Sequence, residues 1–287
     1  GTEGTVFEGD ITFDSLNYLT LPKGTTVQRG RGRGVFCGGR VGNTMQYINI
    51  QSDGNAIDFG DDTGAAETIE GFGLASSTRA VFGGGQSVSN KMEYVTIATT
   101  SNTTDFGDLT AGRRSGCGMS NQTRGVIAGG FAPGASDIMD YITIAATGNA
   151  TDFGDLTTAT AESAGFASPT RGIIAGGNTS PTVVNTIEYI TIATTGDATN
   201  FGDLTVAQMA AGGSSSITRG LIMGGMRPAN NVTIDYVTIA SAGNATDFGD
   251  LNVARGYNGA VSNSIRGVTA GGNANPVSLN TNSIEYV

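Results

Sequence analysis

The stretch at residues 170–177, which reads TRGIIAGG, begins the repeated phrase that decides the fold. After a variable segment the phrase continues at residues 187–193 (IEYITIA) and at residues 198–205 (ATNFGDLT). A period in the forties is typical of propellers and solenoids. The arginine of the phrase recurs at steps of 46, 45, 47, 48 and 47 residues, at Arg33, Arg79, Arg124, Arg171, Arg219 and Arg266.

Spacing within the repeat separates fixed segments from one variable segment. The repeated Arg always stands five residues before the first glycine of a Gly-Gly pair, as Arg124 does before Gly129. Wherever both are present, the Tyr of the phrase stands twelve residues before its Phe, as in Tyr94 and Phe106. By contrast, the interval from the second glycine to the Tyr varies from 8 to 14 residues. Length variation is therefore confined to one loop in each repeat.

Each repeat contains four short candidate β-strands. They are a small-residue stretch such as 209–214, an apolar run such as 221–223, a β-branched run such as 234–239, and a stretch beginning near Phe248. The second and third strands are apolar on both faces, which is typical of a sheet held between two neighbouring sheets. We therefore expect one all-β domain over residues 1–287, a six-bladed β-propeller with four-stranded antiparallel blades.

The two ends of the chain predict how the ring closes. The last repeat stops at Val287 after its Tyr strand and has no Phe segment. Near the start, residues 13–16 (FDSL) match the FGDL phrase, and Phe13 precedes Arg33 by twenty residues, as Phe59 precedes Arg79. We expect residues 1–32 to supply a strand that completes blade six and then the first inner strand. Such closure removes the free sheet edges that an open solenoid has to cap.

The repeat resembles the kelch repeat in four features. It has an apolar strand ending in Gly-Gly, a Tyr on the next strand, an aromatic residue twelve positions later and, at residues 254–255, an Ala-Arg pair. Phe stands where kelch repeats usually carry Trp, so the repeat is kelch-like. The phrases Tyr-Val/Ile-Thr-Ile-Ala and Asp-Phe-Gly-Asp-Leu are also similar to repeats in fibre-like or decoration virion proteins of tailed, particularly marine, bacteriophages. That resemblance implies a virion or extracellular surface location.

Composition and charge exclude several classes of protein. The net charge of −10 would repel a nucleic-acid backbone, so we expect no nucleic-acid partner. No apolar run reaches the 18 or more residues of a membrane span. Cys37 and Cys117 stand where sister repeats carry Ala or Gly, which indicates structural thiols, with a disulfide as the alternative. His is absent, which excludes His-dependent triads and His metal sites.

Repeated charged residues predict a structural rim at one end of the blades. Strand alternation places each repeated Arg and each Asp-Phe-Gly-Asp turn at the same end, so we expect Arg79 near Asp105 or Asp108, and Arg124 near Asp152 or Asp155. An anion-binding ring of arginines is the alternative. The carboxylates should bond nearby backbone N–H groups; a Ca²⁺ site is a further alternative, and no other cofactor is expected. The carboxylates are Asp58, Asp61, Asp105, Asp108, Asp152, Asp155, Asp203, Asp247 and Asp250.

The variable loops predict a recognition surface on the opposite face. They lie at residues 40–44, 86–91, 131–137, 178–185, 226–232 and 273–282, and the connections from each fourth strand to the next blade join them there. Loops that vary on a constant scaffold are typical of binding surfaces, although unconstrained loops also vary. The candidate binding residues are Arg40, Arg113, Arg114, Phe131, Met226 and Arg227.

Three functions remain open at this point. The first is a non-enzymatic interaction module that binds a protein or glycan, as a fibre or decoration component, a surface adhesin, or a homo-oligomer attached to a larger particle. The second is a purely architectural propeller. The third is a glycan-cleaving enzyme, which needs two carboxyl groups in unlike environments. The Asp pairs are copied around the ring into equivalent settings, so we expect no catalysis from them.

Overall fold

Each sequence repeat folds into one antiparallel sheet because its β-branched and apolar residues alternate with Gly-rich turns. The computed structural model describes residues 32–38, 42–64, 70–274 and 279–287. Over these residues the chain is all-β and forms a six-bladed propeller. The predicted closing strand around Phe13 lies outside the described residues.

The strands are numbered along the chain and grouped by blade. Blade 1 contains β1 (Arg33–Phe36), β2 (Thr44–Asn49) and β3 (Ile57–Asp61). Blade 2 contains β4 (Phe72–Ala75), β5 (Arg79–Gly83), β6 (Lys91–Thr96) and β7 (Thr104–Asp108). Blade 3 contains β8 (Cys117–Ser120), β9 (Arg124–Ala128), β10 (Ile138–Thr143) and β11 (Thr151–Asp155). Blade 4 contains β12 (Ala164–Ala167), β13 (Arg171–Asn178), β14 (Val183–Thr191) and β15 (Thr199–Asp203).

The last two blades share a small additional hairpin. Blade 5 contains β16 (Gly212–Ser215), β17 (Arg219–Met223), the short β18 (Met226–Arg227), β19 (Ala229–Thr238) and β20 (Thr246–Gly256). Blade 6 contains β21 (Gly259–Ser262), β22 (Gly267–Ala270) and β25 (Ile284–Tyr286), and the short strands β23 (Asn273–Ala274) and β24 (Leu279–Asn280) lie between β22 and β25 in the chain. The β23–β24 hairpin belongs to the variable loop of blade 6, and β23 pairs with β20 of blade 5.

Within a blade the strands follow the chain from the centre outward. Blade 2 has the order β4-β5-β6-β7, and the corresponding order recurs in blades 3 and 4. Blades 1 and 6 show three strands each in the described part of the chain. The inner strands β4, β8, β12, β16 and β21 contact one another in sequence around the axis.

Apolar side chains fill the space between neighbouring blades. Between blades 3 and 4, for example, Met119 and Phe153 pack with Ile174 and Ile190, and all four are buried. A cluster of this kind lies at each junction. At the last junction Val268 of blade 6 packs with residues of blade 1, so the blades form a closed ring. Burial between sheets explains why the second and third strands are apolar on both faces.

In blades 2, 3, 5 and 6 the second strand ends just before the Gly-Gly pair, as predicted, whereas in blade 4 β13 continues through the pair to Asn178. Gly129 and Gly130 have φ angles of 62° and 113°, in the left-handed region that favours glycine. A Cβ atom on Gly129 would overlap the carbonyl oxygen of Thr160, in the connection to blade 4. The pair therefore serves both the turn and the close approach of the next connection.

The two cysteines are not joined by a disulfide, which agrees with the predicted structural role. Cys117 is buried between blades 3 and 4, and burial raises the pKa of its thiol to about 12. A thiol with so high a pKa stays protonated and is a poor nucleophile. Cys37 is half-buried and packs against the cluster between blades 1 and 2.

Candidate functional site

The variable loops and the connections between blades lie at the same end of the ring, which we call the loop face. Arg114 and Phe131 exchange two backbone hydrogen bonds, of 3.2 and 2.7 Å, between a connection and the variable loop of blade 3. Similar bridges join Ala161 to Asn178 and Met209 to Met226. The repeated arginines lie near the opposite end, which we call the turn face.

The repeated arginines pack on aromatic rings and do not pair with the repeated aspartates. The Arg79 guanidinium lies 4.0 Å from the centre of the Tyr94 ring, and its Nη1 donates to the carbonyl oxygen of Ile144 at 3.0 Å. Ile144 belongs to the next blade. The same bond recurs between Arg33 and Ile97, Arg124 and Ile192, and Arg171 and Ile239.

The predicted ion pairs of Arg79 with Asp105 or Asp108, and of Arg124 with Asp152 or Asp155, are therefore wrong. The register explains the difference, since Arg79 lies opposite Thr96, at the end of the third strand. The guanidinium therefore packs on the ring of Tyr94 on that strand and donates a hydrogen bond to the neighbouring blade. The carboxylates lie on the outer strand. Among the described residues, Arg266 is the repeated Arg that forms an ion pair, and its partner is Asp53 at 3.1 Å.

The Asp-Phe-Gly-Asp phrase forms part of the outer strand and not the turn that the sequence predicted. In blade 2 the backbone N–H of Asp108 donates to the Asn149 side chain at 3.1 Å, and the N–H of Gly148 donates to the carbonyl of Phe106 at 2.7 Å. Gly148 and Asn149 belong to the turn before the outer strand of blade 3. The phrase therefore holds the next blade through its backbone.

The carboxylates of this phrase point largely to solvent. Among the repeated aspartates Asp108 and Asp203 are half-buried, and the exposed ones are Asp58, Asp61, Asp105, Asp152, Asp155, Asp247 and Asp250. The pKa of the Asp155 carboxyl is raised by partial desolvation and by the neighbouring charges of Asp137 and Asp197. Within the described ranges, no three acidic or cysteine side chains come together as a metal-binding group.

Arg113 is a structural residue, so its predicted role in partner contact is wrong. Its side chain is 1% exposed and forms an ion pair of 3.0 Å with Asp140, which is fully buried. The connection thus supplies from inside a charge that compensates the buried carboxylate of blade 3. Arg40 lies outside the described residues.

The other candidate binding residues lie on the loop face and are partly exposed. Arg114 is 35% exposed, donates to Glu70 at 2.5 Å and stacks 5.2 Å from the centre of the Phe131 ring. Met226 and Arg227 are half-buried in β18, and Arg227 donates to the Thr233 hydroxyl at 3.0 Å. These side chains are therefore held in place by the loop face itself.

A chain of left-handed residues surrounds the axis at the loop face, and we call this ring the channel mouth. Each member lies two residues before an inner strand, and from the second member onward the N–H donates to the carbonyl of the preceding member, at 2.5 to 2.8 Å. Left-handed φ angles are uncommon in residues other than glycine, so the ring is a strained and closely determined structure. Its members in the described part of the chain are Glu70, Ser115, Glu162, Ala210 and Tyr257, with φ angles of 64°, 56°, 61°, 59° and 57°.

The side chains at the channel mouth create two unlike carboxyl environments. Glu70 is ion-paired with Arg114, whereas Glu162 receives a long contact of 3.5 Å from the Tyr257 hydroxyl, across the position of the small Ala210. Burial raises the pKa of Glu162, and the Glu70 charge raises it further. The pKa of Tyr257 rises to about 12, through burial and the Glu162 charge, although its side chain remains 44% exposed.

Sequence reasoning missed the channel mouth, although one signal was present. Each member stands nine residues before a repeated Arg, as Glu162 does before Arg171. The segment has nearly constant length, so a position that changes from Glu to Ser, Ala and Tyr within it is unusual. Variation in residue type at a fixed backbone position therefore indicates this surface as clearly as variation in loop length.

The described residues form no helix that could cross a bilayer. Comparison of the chain with protein-family models and with curated proteins finds no match.

Proposed function

We propose that this propeller is a non-enzymatic interaction module that binds a protein or glycan through the loop face, centred on the channel mouth. One observation carries the proposal. Five equivalent positions share one backbone conformation, yet their side chains are two carboxylates, a hydroxyl, a methyl group and a phenol. A constant scaffold that presents varied chemistry is the arrangement expected of a recognition surface.

The chemistry of the channel mouth suits a glycan in particular. Carboxylates accept hydrogen bonds from sugar hydroxyls, and an exposed aromatic ring packs against the apolar face of a sugar. Glu162 and Tyr257 supply these two features side by side, and Arg114 adds a donor that is already oriented by Glu70. A protein partner would use the same aromatic and Arg side chains as anchors.

The sequence resemblances support a place for this module on a larger particle. The kelch-like phrase and the similarity to phage repeat proteins favour a virion fibre or decoration component, or a surface adhesin. Such proteins act at the virion or outside the cell, as part of an assembly or as homo-oligomers. The net charge of −10 disfavours nucleic acid as the partner.

A glycan array probed with the full chain tests the proposal, followed by titration of the best glycan. We expect Tyr257→Ala and Arg114→Ala each to weaken binding at least tenfold. Ile265→Ala is the matched control, because Ile265 is 82% exposed in a turn on the opposite face. Binding that Ile265→Ala weakens as much as Tyr257→Ala would contradict the assignment to the loop face.

An architectural role is a second candidate, favoured by the way the variable loop of blade 6 is used inside the ring. Its strand β23 pairs with β20, and Asn230 of blade 5 donates to the carbonyl of Asn273 at 2.6 Å. A loop that is hydrogen-bonded to the neighbouring blade has fewer hydrogen-bonding groups available for a partner. A defined symmetric assembly in solution, together with no binding on glycan and protein arrays, would favour this role.

Glycan cleavage is a third candidate, favoured by the unlike environments of Glu70 and Glu162. Hydrolysis of glycosidic bonds uses one ionised carboxylate and one carboxylic acid whose pKa is raised. Release of reducing sugar from a bound glycan, lost in Glu162→Gln and kept in Ala210→Ser, would establish catalysis. Binding without any turnover would leave the interaction module as the function.

A further inference from the structure

A buried acidic residue precedes the repeated Tyr in most blades, on the third strand. The exposed fractions are 8% for Glu93, 0% for Asp140, 5% for Glu188 and 1% for Asp235. The equivalent residue of blade 6 is Glu285. A buried carboxylate strongly destabilises a protein unless hydrogen bonds or a cation compensate it.

Blades 3 and 6 compensate this carboxylate with an arginine from the connection between blades. In blade 3 Arg113 contacts Asp140 at 3.0 Å, and in blade 6 Arg255 contacts Glu285 at 2.9 Å. Arg255 is fully buried, and each of the two arginines stands eleven residues before a repeated Arg. The same repeat position therefore carries the compensating cation in both blades.

In blade 4 that position is Thr160, and a cavity lies where the guanidinium would be. The cavity has a volume of about 80 Å³ and is lined by Thr158, Thr160, Ile174, Gly176 and Glu188, among others. One water needs roughly 10–15 Å³ of such volume, so the cavity can hold a small polyatomic ion. Thr158 is exposed, which places solvent at the mouth of the cavity.

Glu188 keeps every feature of this arrangement except the cation. It accepts hydrogen bonds from the backbone N–H and the hydroxyl of Thr157, as Asp140 does from Thr110. None of the ion pairs among the described residues includes Glu188. A carboxylate has about four acceptor sites, so acceptor capacity is left for a further donor.

The backbone of blade 4 also repeats the acceptors that hold Arg113. In blade 3 the guanidinium donates to the carbonyl oxygens of Ala111 and Ile127, at 3.2 and 3.4 Å. The equivalent residues of blade 4, by their distance from the repeated Arg, are Thr158 and Ile174. Both line the cavity. The space is thus lined by a carboxylate and by the two residues whose counterparts in blade 3 supply carbonyl acceptors to a planar guanidinium.

We propose that the cavity at Thr160 and Glu188 binds one guanidinium group, in the place that the Arg113 guanidinium has in blade 3. The group can belong to a small guanidinium compound or to an arginine side chain of a partner protein. This site is separate from the channel mouth, so the inference does not rest on the proposed function. In blade 5 the corresponding position holds the long, 2% exposed side chain of Gln208.

Calorimetric titration of the full chain with methylguanidinium, against sodium chloride of equal ionic strength, tests the site. We expect saturable binding of one ion, weakened at least tenfold in Glu188→Gln because the carboxylate is gone. Asp235→Asn removes a buried charge from blade 5 and should leave this binding unchanged. Equal binding to the native chain and to Glu188→Gln, or no saturable binding to the native chain, would overturn the proposal.

Thr160→Arg provides a second test, which holds even if Glu188→Gln fails to fold. The new side chain should occupy the cavity as Arg113 does in blade 3, raise the melting temperature and abolish methylguanidinium binding. A Thr160→Arg protein that still binds the ion, or that melts at a lower temperature than the native chain, would count against the site. A tripeptide Gly-Arg-Gly that binds only to the native chain would indicate a partner side chain, whereas binding of methylguanidinium alone would indicate a small compound.

Discussion

Arg79 of blade 2 donates a hydrogen bond of 3.0 Å to the main-chain carbonyl of Ile144 in blade 3, while its guanidinium lies 4.0 Å from the Tyr94 ring centre. Tyr94 in turn meets Phe106 edge to face at 6.0 Å. One side chain thus joins the aromatic pair of its own blade to the backbone of the next. Because the arrangement recurs at several junctions, it contributes to the stability of the whole ring.

We expect Arg79→Met to lower the free energy of unfolding by about 2–3 kcal/mol. A hydrogen bond from a charged donor contributes about 1.5–3 kcal/mol and a cation–π contact about 0.5–1 kcal/mol, while Met keeps the apolar stem. Urea unfolding followed by circular dichroism measures the change. Asp105→Asn is the control and should cost less than about 0.5 kcal/mol, because Asp105 is exposed. Equal losses in the two variants would mean that a carboxylate holds Arg79 after all.

Gly107 permits the docking of one blade on the next, and Gly107→Ala should disrupt it. The φ angle of Gly107 is 136°, and a Cβ atom there would lie 2.5 Å from the carbonyl of Gly148 in blade 3. Gly148→Ala is a matched control, since Gly148 has a φ of 153° with nothing within 4 Å of its Cβ position. Both variants carry backbone strain of about 1–3 kcal/mol, but only Gly107→Ala adds the overlap.

Denaturant midpoints of the two variants separate these contributions. We expect Gly107→Ala to be less stable than Gly148→Ala by at least about 1 kcal/mol, because overpacking forces the neighbouring backbone to move. A Gly107→Ala protein that is as stable as Gly148→Ala would show that the turn of blade 3 does not hold the outer strand of blade 2.

The sequence was sufficient for the architecture because the period and the constant intervals constrain the backbone directly. The Arg recurrence predicts the number of blades, and the Gly-Gly pairs predict where the second strand ends in blades 2, 3, 5 and 6. The hydrogen-bond partners of individual side chains were harder to predict from the sequence. The acceptor of Arg79 is a main-chain carbonyl, which every residue carries, so no residue type marks it in the sequence.

In the candidate site, too, the sequence pattern identified residues without showing which of them are buried. Arg113 and Arg114 are adjacent in a Gly-containing connection, and residue type alone does not separate the buried one from the exposed one. The difference comes from Asp140, which lies 27 positions away and forms an ion pair with Arg113 in the core. At the channel mouth Ala210 and Tyr257 share only a backbone conformation, which residue types do not encode.

The raised pKa of Glu162 predicts a pH-dependent contribution to stability. The ordinary value is 4.5, and in the folded chain burial and the charge of Glu70 raise the pKa. Between these two pKa values the folded state binds more protons than the unfolded state, so stability falls as pH rises. The destabilisation is complete above the folded pKa and disappears below 4.5.

Glu162→Gln removes this ionisation and should therefore stabilise the chain at neutral pH. We expect a gain below about 1 kcal/mol, because the side chain is partly exposed and solvent screens the charge. The gain should shrink towards zero as pH falls below 4.5. Urea unfolding at pH 4 and at pH 7.5 measures it, with Asp105→Asn as the control for an exposed charge. A gain that is larger at pH 4 than at pH 7.5 would reverse the assigned direction.

Phe248 differs from the equivalent residues of earlier blades in a way that bears on the predicted closing strand. It is 43% exposed, whereas Phe106 and Phe153 are 1% exposed. Its neighbour Gly249 has nothing within 4 Å of its Cβ position, although the equivalent Gly107 meets the turn of the next blade. The described residues thus leave the outer part of blade 5 without the covering turn that blades 1 to 4 receive from their neighbour.

If the segment around Phe13 completes blade six, the residues just before it should cover Phe248. The chain contains no Trp, so Phe248→Trp introduces a single fluorescent reporter at this position, with Phe106→Trp as the buried reference. We expect the two variants to share blue-shifted emission and weak quenching by acrylamide, because an apolar ring between two blades is shielded from water. Removal of residues 1–20 should shift only the reporter at position 248 towards the emission of a solvated Trp. A solvated spectrum from Phe248→Trp in the full chain would show that the segment around Phe13 does not cover blade 5, and the predicted closing strand would have to be abandoned.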